Sequence, residues 1–202
     1  MRTILSKILY IFIKTIGMLI MRIFFSLKVE GRNNLPEAGS FIVAANHTSF
    51  LDPMAVQTSI PAKINWIVRK DVIERKHLKV IHYIFDSIPV NGSVKSALTA
   101  LEKGRVLGIF PEGRRSEDGK LEEAGNGVAI LALKSGRPVV PVGIKGAFEA
   151  YPPGKKFFKP HPISVNIGRP LSFKKEEKEE IDESILQETK DRVMDGIRGL
   201  IT

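Results

Sequence analysis

The residues best suited to chemistry are a histidine and an aspartate five positions apart, in the run Asn46-His47-Thr48-Ser49-Phe50-Leu51-Asp52. A neutral imidazole can accept a proton from a hydroxyl near neutral pH. A carboxylate beside it can fix the tautomer of the ring and stabilise its charged form. Because the chain has no cysteine, a thiol nucleophile is excluded. If the pair is a base and its orienting carboxylate, the attacking group belongs to a substrate.

The spacing of this pair requires a turn between the two residues. On a continuous helix, positions five apart differ by about 140° and do not meet. The apolar run 41–45 is typical of a buried strand, and Asp52-Pro53 is typical of a helix start, with Asp at the N-cap and Pro at the first helical position. The sequence therefore predicts that His47 leaves a strand and Asp52 opens the next helix. The alternative is that Asp52 is only a cap and His47 only a surface residue.

A second group of polar residues follows another apolar run, in Phe110-Pro111-Glu112-Gly113-Arg114-Arg115-Ser116. The planar guanidinium of Arg can donate two parallel hydrogen bonds to phosphate, and glycine lets a backbone approach a ligand closely. The alternative is a polar turn closed by an ion pair between Glu112 and an arginine. Binding of nucleic acid would favour aromatic residues interleaved with the basic ones. None stands in the loop 111–116, so no nucleic-acid partner is expected.

Apolar and amphipathic segments alternate along the rest of the chain. Strands are predicted at 41–45, 64–68, 106–110, 139–144 and 163–167, and helices at 53–59, 71–85, 93–103, 123–135 and 178–201. This alternation predicts an α/β fold with a mostly parallel central sheet flanked by helices. Binding sites in such sheets collect at the carboxyl ends of the strands, where His47 lies by this prediction.

The composition limits the class of protein. The 202 residues are 43% hydrophobic and 26% charged, which supports one globular domain with a sizeable core plus an appendage. Without cysteine there is no disulfide framework and no thiolate metal site. The net charge of +9 favours anionic partners, either nucleic acid or an acidic membrane surface.

The N-terminal segment favours the membrane. Residues 4–27 are mostly apolar, but the longest uncharged stretch among them is 15–21, whereas a spanning helix needs roughly 20 apolar residues. On a helix, Lys7, Lys14, Arg22 and Lys28 fall within a sector of about 120°. This pattern predicts an amphipathic segment over residues 1–28, as one helix or two broken near Gly17, that lies in a membrane interface with its cationic groups directed to anionic headgroups.

Three other interpretations of this segment remain. A signal peptide would suit the basic start, but Lys14 and Arg22 interrupt the apolar region and no small-residue cleavage site follows. A tilted transmembrane helix and a core helix of a soluble protein are the others. Monotopic attachment is the prediction, with the globular domain over 29–202.

Three motifs in order resemble those of the glycerolipid acyltransferases. His47 to Asp52 resembles the H-x4-D motif of that family, and Phe110 to Ser116 resembles F-P-E-G-T-R-S, with Arg114 in place of the usual Thr. The run Val139-Val140-Pro141-Val142 is similar to the apolar V-P-V motif, which marks Pro141 as a structural residue. The resemblance covers roughly residues 29–170 and is strongest to the 1-acyl-sn-glycerol-3-phosphate acyltransferases of bacterial phospholipid synthesis.

This resemblance implies a reaction and roles for the residues. His47 would deprotonate the 2-hydroxyl of lysophosphatidic acid, Asp52 would orient the imidazole, and the alkoxide would attack an acyl thioester of acyl carrier protein or coenzyme A. Arg115, with Arg114, Glu112 and Gly113 in the same loop, would hold the glycerol phosphate. The product is phosphatidic acid, no cofactor or metal is needed, and the enzyme would work at the cytoplasmic face of the cell membrane.

The sequence departs from the family at two points. Ile88-Pro89-Val90-Asn91-Gly92 has glycine where relatives carry an arginine in I-P-V-D-R, so Arg69, Lys70 or Arg115 is expected to supply the missing phosphate contact. Glu122-Glu123 also stands where relatives often carry basic residues.

Other functions remain as alternatives. Within the enzyme class, the acceptor would be another lysolipid or glycerol-3-phosphate. Outside it are a non-enzymatic lipid-surface binding protein and a metal-dependent hydrolase that uses His47 and Asp52 as ligands, for which only His77, His82 and His161 remain as further histidines.

Overall fold

The computed structural model describes residues 2–74, 79–90, 94–178 and 180–202. The strands in this part of the chain are β1 (Lys28–Glu30), β2 (Ile42–Ala45), β3 (Ile64–Arg69), β4 (Ile88–Val90), β5 (Val106–Ile109), β6 (Val139–Lys145) and β7 (Ser164–Ile167). The helices are α1 (Arg2–Phe25), α2 (Asp52–Ser59), α3 (Lys70–Ile73), α4 (Lys79–Ile84), α5 (Lys95–Glu102), α6 (Gly127–Ser135), α7 (Ala147–Ala150) and α8 (Glu183–Ile201).

The strands form one sheet in the order β1-β7-β6-β2-β5-β3-β4. From β6 to β4 all neighbours are parallel, whereas β7 is antiparallel to β6 and pairs in parallel with β1 at the outer edge. The predicted mostly parallel α/β sheet is confirmed. Because β2 and β5 are parallel neighbours, the loops that follow them lie side by side at one edge of the sheet.

Two strands were absent from the sequence prediction, and both are short and lie at the ends of the sheet. β4 contains Pro89, which lacks an N–H for the ladder and is tolerated in an edge strand. β1 has exposed Lys28 and Glu30 around a half-buried Val29, so it carries little apolar signal.

The core has two parts, one on each face of the sheet. In β2, Val43 and Ala45 belong to the cluster covered by α1, α2 and α7, whereas Ile42 and Ala44 belong to the cluster covered by α5, α6 and α8. All four β2 residues are fully buried, as expected for a strand of a parallel sheet covered on both faces.

α1 is one continuous helix that packs along α2, and it does not break at Gly17. A Cβ on Gly17 would overlap the sulfur of Met54 in α2, so glycine leaves room for that side chain between the two helices. Met21 and Phe25, further along the same face, are buried in the core. Lys14 Nζ donates hydrogen bonds to the carbonyls of Ile60 and Pro61, at 2.7 and 2.8 Å, just past the end of α2. The prediction that this ammonium is directed to lipid headgroups is therefore wrong.

Three predicted helices differ from the structure by more than one or two residues at an end. The predicted helix 71–85 overlaps α3 and contains α4, and residues 75–78, including His77, lie outside the described residues. α6 begins at Gly127 rather than 123, because the preceding segment is bonded to the 111–116 loop, where Gly125 N–H donates to Pro111 C=O. α8 begins at Glu183 rather than 178, where the stripe of buried side chains Leu186, Val193 and Ile197 starts.

Candidate active site

His47 and Asp52 meet across the turn between β2 and α2. His47 Nδ1 lies 2.9 Å from Asp52 Oδ2, and Asp52 is completely buried. The same oxygen accepts the backbone N–H groups of Thr48 and Ser49, each at 2.7 Å. A carboxylate oxygen can only accept, so Nδ1 donates, and the lone pair of the neutral ring is on Nε2. With 17% of its side chain exposed, His47 presents a base whose tautomer is fixed.

Asp52 does not cap its own helix. It is the first helical residue, Leu51 holds the N-cap position, and no side-chain cap bond is made. The Oδ1 atom is buried without a hydrogen-bond partner in the described residues. The predicted N-cap role is therefore wrong, and the carboxylate orders the turn that precedes α2.

Glu112 ties the His47 turn to the loop that follows β5. Its Oε1 accepts the backbone N–H of His47 at 2.6 Å, and its Oε2 accepts the N–H of Glu122 at 2.8 Å. The carbonyl of His47 accepts the N–H of Ser116 at 2.8 Å. Both backbone groups of His47 are thus held by the second motif. Within the described residues, both oxygens of Glu112 bond to backbone N–H groups rather than to an arginine.

Burial raises the pKa of Glu112 from 4.5 to about 7, although its two backbone hydrogen bonds act in the opposite direction. Since little of the side chain is exposed, water solvates the charged form poorly. The carboxyl that holds His47 in place therefore titrates near neutral pH.

A stack of aromatic rings supports the imidazole. The ring of His47 lies on that of Phe110, with centroids 3.9 Å apart, and Phe110 lies on Trp66 at 4.7 Å. This stack was not predicted from the sequence. Trp66 is the only tryptophan of the chain, and its strand neighbours β5, which is the signal that would have placed it beside Phe110.

The two arginines of the second motif have different surroundings. Arg114 Nε lies 2.8 Å from Glu122 Oε2 on the surface. Arg115 places its guanidinium 3.3 Å from the ring centroid of Phe50, in the His47 turn. Of the two, Arg115 is therefore the one that packs against the turn carrying the base.

Arg69 and Lys70, predicted to supply the phosphate contact, lie at the end of the strand β3, at the same edge of the sheet. Arg69 pairs with Asp71 at 3.0 Å and Lys70 with Glu74 at 3.7 Å, all four side chains being well exposed. Both cations are thus engaged with neighbouring carboxylates at the surface, and their role in binding phosphate stays a prediction. Gly92, the site of the missing arginine, lies outside the described residues.

The surroundings of Gly113 and Pro141 indicate that both residues have structural roles. Gly113 has a φ of +71°, and a Cβ at this position would meet open space, so the left-handed turn, rather than a close approach, favours glycine. Pro141 lies in the middle of β6, against Ala44 of β2. A Cβ on Gly196 of α8 would be 3.1 Å from Pro141, so the proline is where α8 packs closely on the sheet.

Two further residues, Asn46 and Ser49, hold the turn in place, and the sequence did not predict these roles. The side chain of Asn46 is buried and bonds both the C=O and the N–H of Ile144, at 3.0 and 2.8 Å, which fastens the end of β2 to β6. Ser49 Oγ donates to the carbonyl of Tyr151 at 2.7 Å. Asn46 directly precedes the catalytic candidate, but its side-chain partner is distant in sequence.

Comparison with known proteins identifies a family and several relatives to which this chain is similar. The chain matches the family described as Acyltransferase over residues 26–145. It is 31% identical over 153 residues to the 1-acyl-sn-glycerol-3-phosphate acyltransferase of Bacillus subtilis (strain 168), a match that covers 72% of this chain and 73% of that protein. It is 26% identical over 155 residues to the human 1-acyl-sn-glycerol-3-phosphate acyltransferase beta, a match that covers 71% of this chain and 56% of the human protein.

A solved structure agrees with these matches. The crystal structure of PlsC, the 1-acyl-sn-glycerophosphate (LPA) acyltransferase from Thermotoga maritima, superposes with a TM-score of 0.79 at 26% identity, over 99% of this chain and 83% of that chain. The sequence family covers more than half of the chain, including the His47 turn and the Glu112 loop. The chain therefore belongs to the acyltransferase family.

Proposed function

We propose that this protein transfers a fatty acyl group from a thioester to the 2-hydroxyl of 1-acyl-sn-glycerol-3-phosphate, giving phosphatidic acid. The names of its relatives supply the substrate class. The observation that carries the chemistry is the hydrogen bond of His47 Nδ1 to the buried Asp52 carboxylate at 2.9 Å, because it leaves Nε2 as the proton acceptor.

The reaction needs one base and no covalent enzyme intermediate. His47 Nε2 removes the proton of the acceptor hydroxyl as its oxygen attacks the thioester carbonyl. The resulting imidazolium is stabilised by the negative charge of Asp52. When the tetrahedral intermediate collapses, the carbon–sulfur bond breaks and the imidazolium returns the proton to the thiolate. The products are the ester and a free thiol, and His47 is neutral again.

Arg115 is the proposed phosphate ligand. Its guanidinium lies over Phe50, three residues after the base, which suits the short span between the phosphate and the 2-hydroxyl of the glycerol. Glu112 and Gly113 hold the loop, and Arg114, Arg69 and Lys70 add positive charge at the same edge of the sheet. The acyl donor is a thioester of acyl carrier protein or coenzyme A, as a co-substrate rather than a bound cofactor.

The proposed location is the cytoplasmic face of the cell membrane, with monotopic attachment through α1. The part Ile4–Phe25 is long and apolar enough to cross a membrane. However, its Tyr10, Lys14, Gly17, Met21 and Phe25 face the domain. A helix packed on the domain along this stripe cannot also be surrounded by lipid.

The other side of α1 is the proposed lipid contact. It carries large apolar side chains that are exposed: Ile4, Leu5, Ile8, Leu9, Ile11, Phe12, Ile16, Leu19, Ile20, Ile23 and Phe24. A contiguous exposed apolar surface of this kind is typical of membrane or protein interaction sites, and the substrate and product of the proposed reaction both reside in a bilayer.

An acyl-transfer assay with lysophosphatidate, run with each thioester donor, tests the function. His47→Ala is expected to lower kcat by about 10²–10⁴-fold, as for the loss of a general base, while the protein remains folded. Asp52→Asn keeps a hydrogen-bond acceptor for the turn but removes the charge that stabilises the imidazolium. In this variant kcat is also expected to fall. Near-normal turnover by His47→Ala would exclude this mechanism.

The same assay separates the alternatives. Faster acylation of glycerol-3-phosphate or of another lysolipid would change the assigned acceptor, and no acyl transfer with any acceptor would favour a lipid-surface binding protein. A metal-dependent hydrolase would also need a set of metal ligands. In residues 2–74, 79–90, 94–178 and 180–202, no three histidine, aspartate or glutamate side chains come together as such a set.

A further inference from the structure

An exposed basic and aromatic loop lies beside the end of α1. This loop, Lys155-Lys156-Phe157-Phe158-Lys159 (the 155–159 loop), has all five side chains exposed. Phe157 is 83% exposed, which is unusual for a phenylalanine in water. From Tyr151 to Pro162 the sequence has three lysines and no carboxylate.

The loop is joined to α1 at one end. Phe158 makes ring contacts with Phe24 and Phe25, at centroid distances of 5.8 and 5.4 Å. Ile163 N–H donates to the carbonyl of Phe25 at 2.8 Å. The apolar side chains of the loop are therefore continuous with the exposed apolar surface of α1.

The loop is joined to the catalytic turn at its other end. Tyr151, where the loop segment begins, accepts a hydrogen bond from Ser49 Oγ through its carbonyl, and its ring lies 5.4 Å from that of Phe50. Lys159 N–H donates to Ala150 C=O at 2.8 Å, which closes the segment on itself. One short stretch of chain thus connects the base-bearing turn with the helix proposed to lie on the bilayer.

We propose that the 155–159 loop is a second bilayer contact, in which Phe157 inserts between anionic lipids while Lys155, Lys156 and Lys159 bind their headgroups. The combination of an exposed aromatic ring with flanking lysines fits an anionic lipid surface, because apolar burial and headgroup attraction act together. With α1, the loop fixes the angle of the domain on the membrane and keeps the His47 turn next to the headgroups. This inference rests on the membrane attachment proposed for α1.

Phe157→Trp tests insertion directly. Vesicles of mixed phosphatidylglycerol and phosphatidylcholine are expected to shift the emission of the introduced tryptophan to shorter wavelength and to protect it from a water-soluble quencher. Trp66 is buried and contributes a constant background. The matched control is Gln187→Trp, on the exposed face of α8 across the sheet, which is expected to show no shift.

Loss of the contact is tested with Phe157→Ser and with Lys155→Gln/Lys156→Gln. Phe158 is left intact because it packs on Phe25. Each variant is expected to partition onto the same vesicles about tenfold more weakly, and the lysine variant is expected to lose the preference for anionic over zwitterionic vesicles. Acyl transfer to a short-chain, water-soluble lysophosphatidate should be unchanged, since neither change touches the His47 turn.

The outcomes separate the two proposals. If the wild-type protein floats with vesicles but the tryptophan emission of Phe157→Trp does not shift and Phe157→Ser binds equally well, the loop inference is wrong and attachment through α1 stands. If the wild-type protein does not float with vesicles, both are wrong. If the variants lose activity on the water-soluble acceptor as well, the loop acts on the site itself and the inference is again wrong.

Discussion

At the scale of single residues, the position of Glu112 requires two acceptor oxygens, because each carboxylate oxygen accepts one backbone N–H. In Glu112→Gln one oxygen becomes an NH₂ group, which cannot accept, so the N–H of His47 or of Glu122 loses its acceptor. We expect a loss of about 1–3 kcal/mol in the free energy of unfolding, measured by urea denaturation, together with reduced turnover. The exposed neighbour Glu123→Gln is the matched control and should change stability by less than about 0.5 kcal/mol. Equal stability of both variants would contradict this role.

The raised pKa of Glu112 also predicts a pH dependence. The folded protein holds this proton up to about pH 7, whereas the unfolded chain releases it near 4.5. The resulting stabilisation is fully present below pH 4.5 and is lost as the pH rises through 7. The stability advantage of wild type over Glu112→Gln should therefore shrink between about pH 5 and about pH 8 in parallel urea titrations. An advantage that grows over this range would mean that the fold lowers the pKa of Glu112.

Phe50 is expected to position Arg115, since the guanidinium lies 3.3 Å from its ring centroid. Phe50→Ala should raise KM for lysophosphatidate several-fold and change kcat less, as Arg115→Ala should also do. Phe50→Tyr retains the ring and should restore KM. Losses in kcat alone, or no rescue by tyrosine, would show that Phe50 does not act through the phosphate contact.

At the scale of elements, the packing of α8 on the sheet depends on a glycine of β6. A Cβ on Gly143 would lie 2.5 Å from Leu200 Cβ and 2.8 Å from its backbone carbon, which cannot move without shifting the helix. Gly143→Ala should therefore cost about 1–3 kcal/mol of stability by overpacking. Gly199→Ala, in the same helix with open space around it, should be neutral or stabilising by up to about 1 kcal/mol. Denaturation of the two variants side by side measures the difference.

Elements with a strong apolar signal were predictable from the sequence. Elements fixed by contacts between residues distant in sequence were not. β2 and β5 are uninterrupted apolar runs, so their ends placed both motifs correctly at one edge of the sheet. The start of α6 was wrong by four residues, because the segment before it is held by Glu112 and Pro111 rather than by its own helical propensity. The Phe110–Trp66 stack and the Asn46–Ile144 bonds join residues far apart in sequence, and no local pattern specifies them.

At the scale of the whole molecule, α1 lies between the domain and the bilayer that its outer face is proposed to contact. Its inner face supplies Met21 and Phe25 to the core, and the sheet begins at Lys28. Deleting residues 1–28 would therefore remove part of the fold together with the proposed anchor, and would not test attachment alone. Substitutions on the outer face separate the two roles of the helix.

Phe12→Ser/Leu19→Ser/Ile23→Ser changes three side chains of the outer face of α1, each about half or more exposed and within about 40° of one another on the helix. We expect at least about a hundredfold loss of partitioning onto anionic vesicles, since burial of each large apolar side chain in the bilayer contributes on the order of tenfold. The melting temperature and the acylation of a water-soluble acceptor should be retained, because the inner face and the His47 turn are untouched. Flotation with vesicles and an acyl-transfer assay measure both. Unchanged partitioning of the folded triple variant would place the membrane contact on another surface.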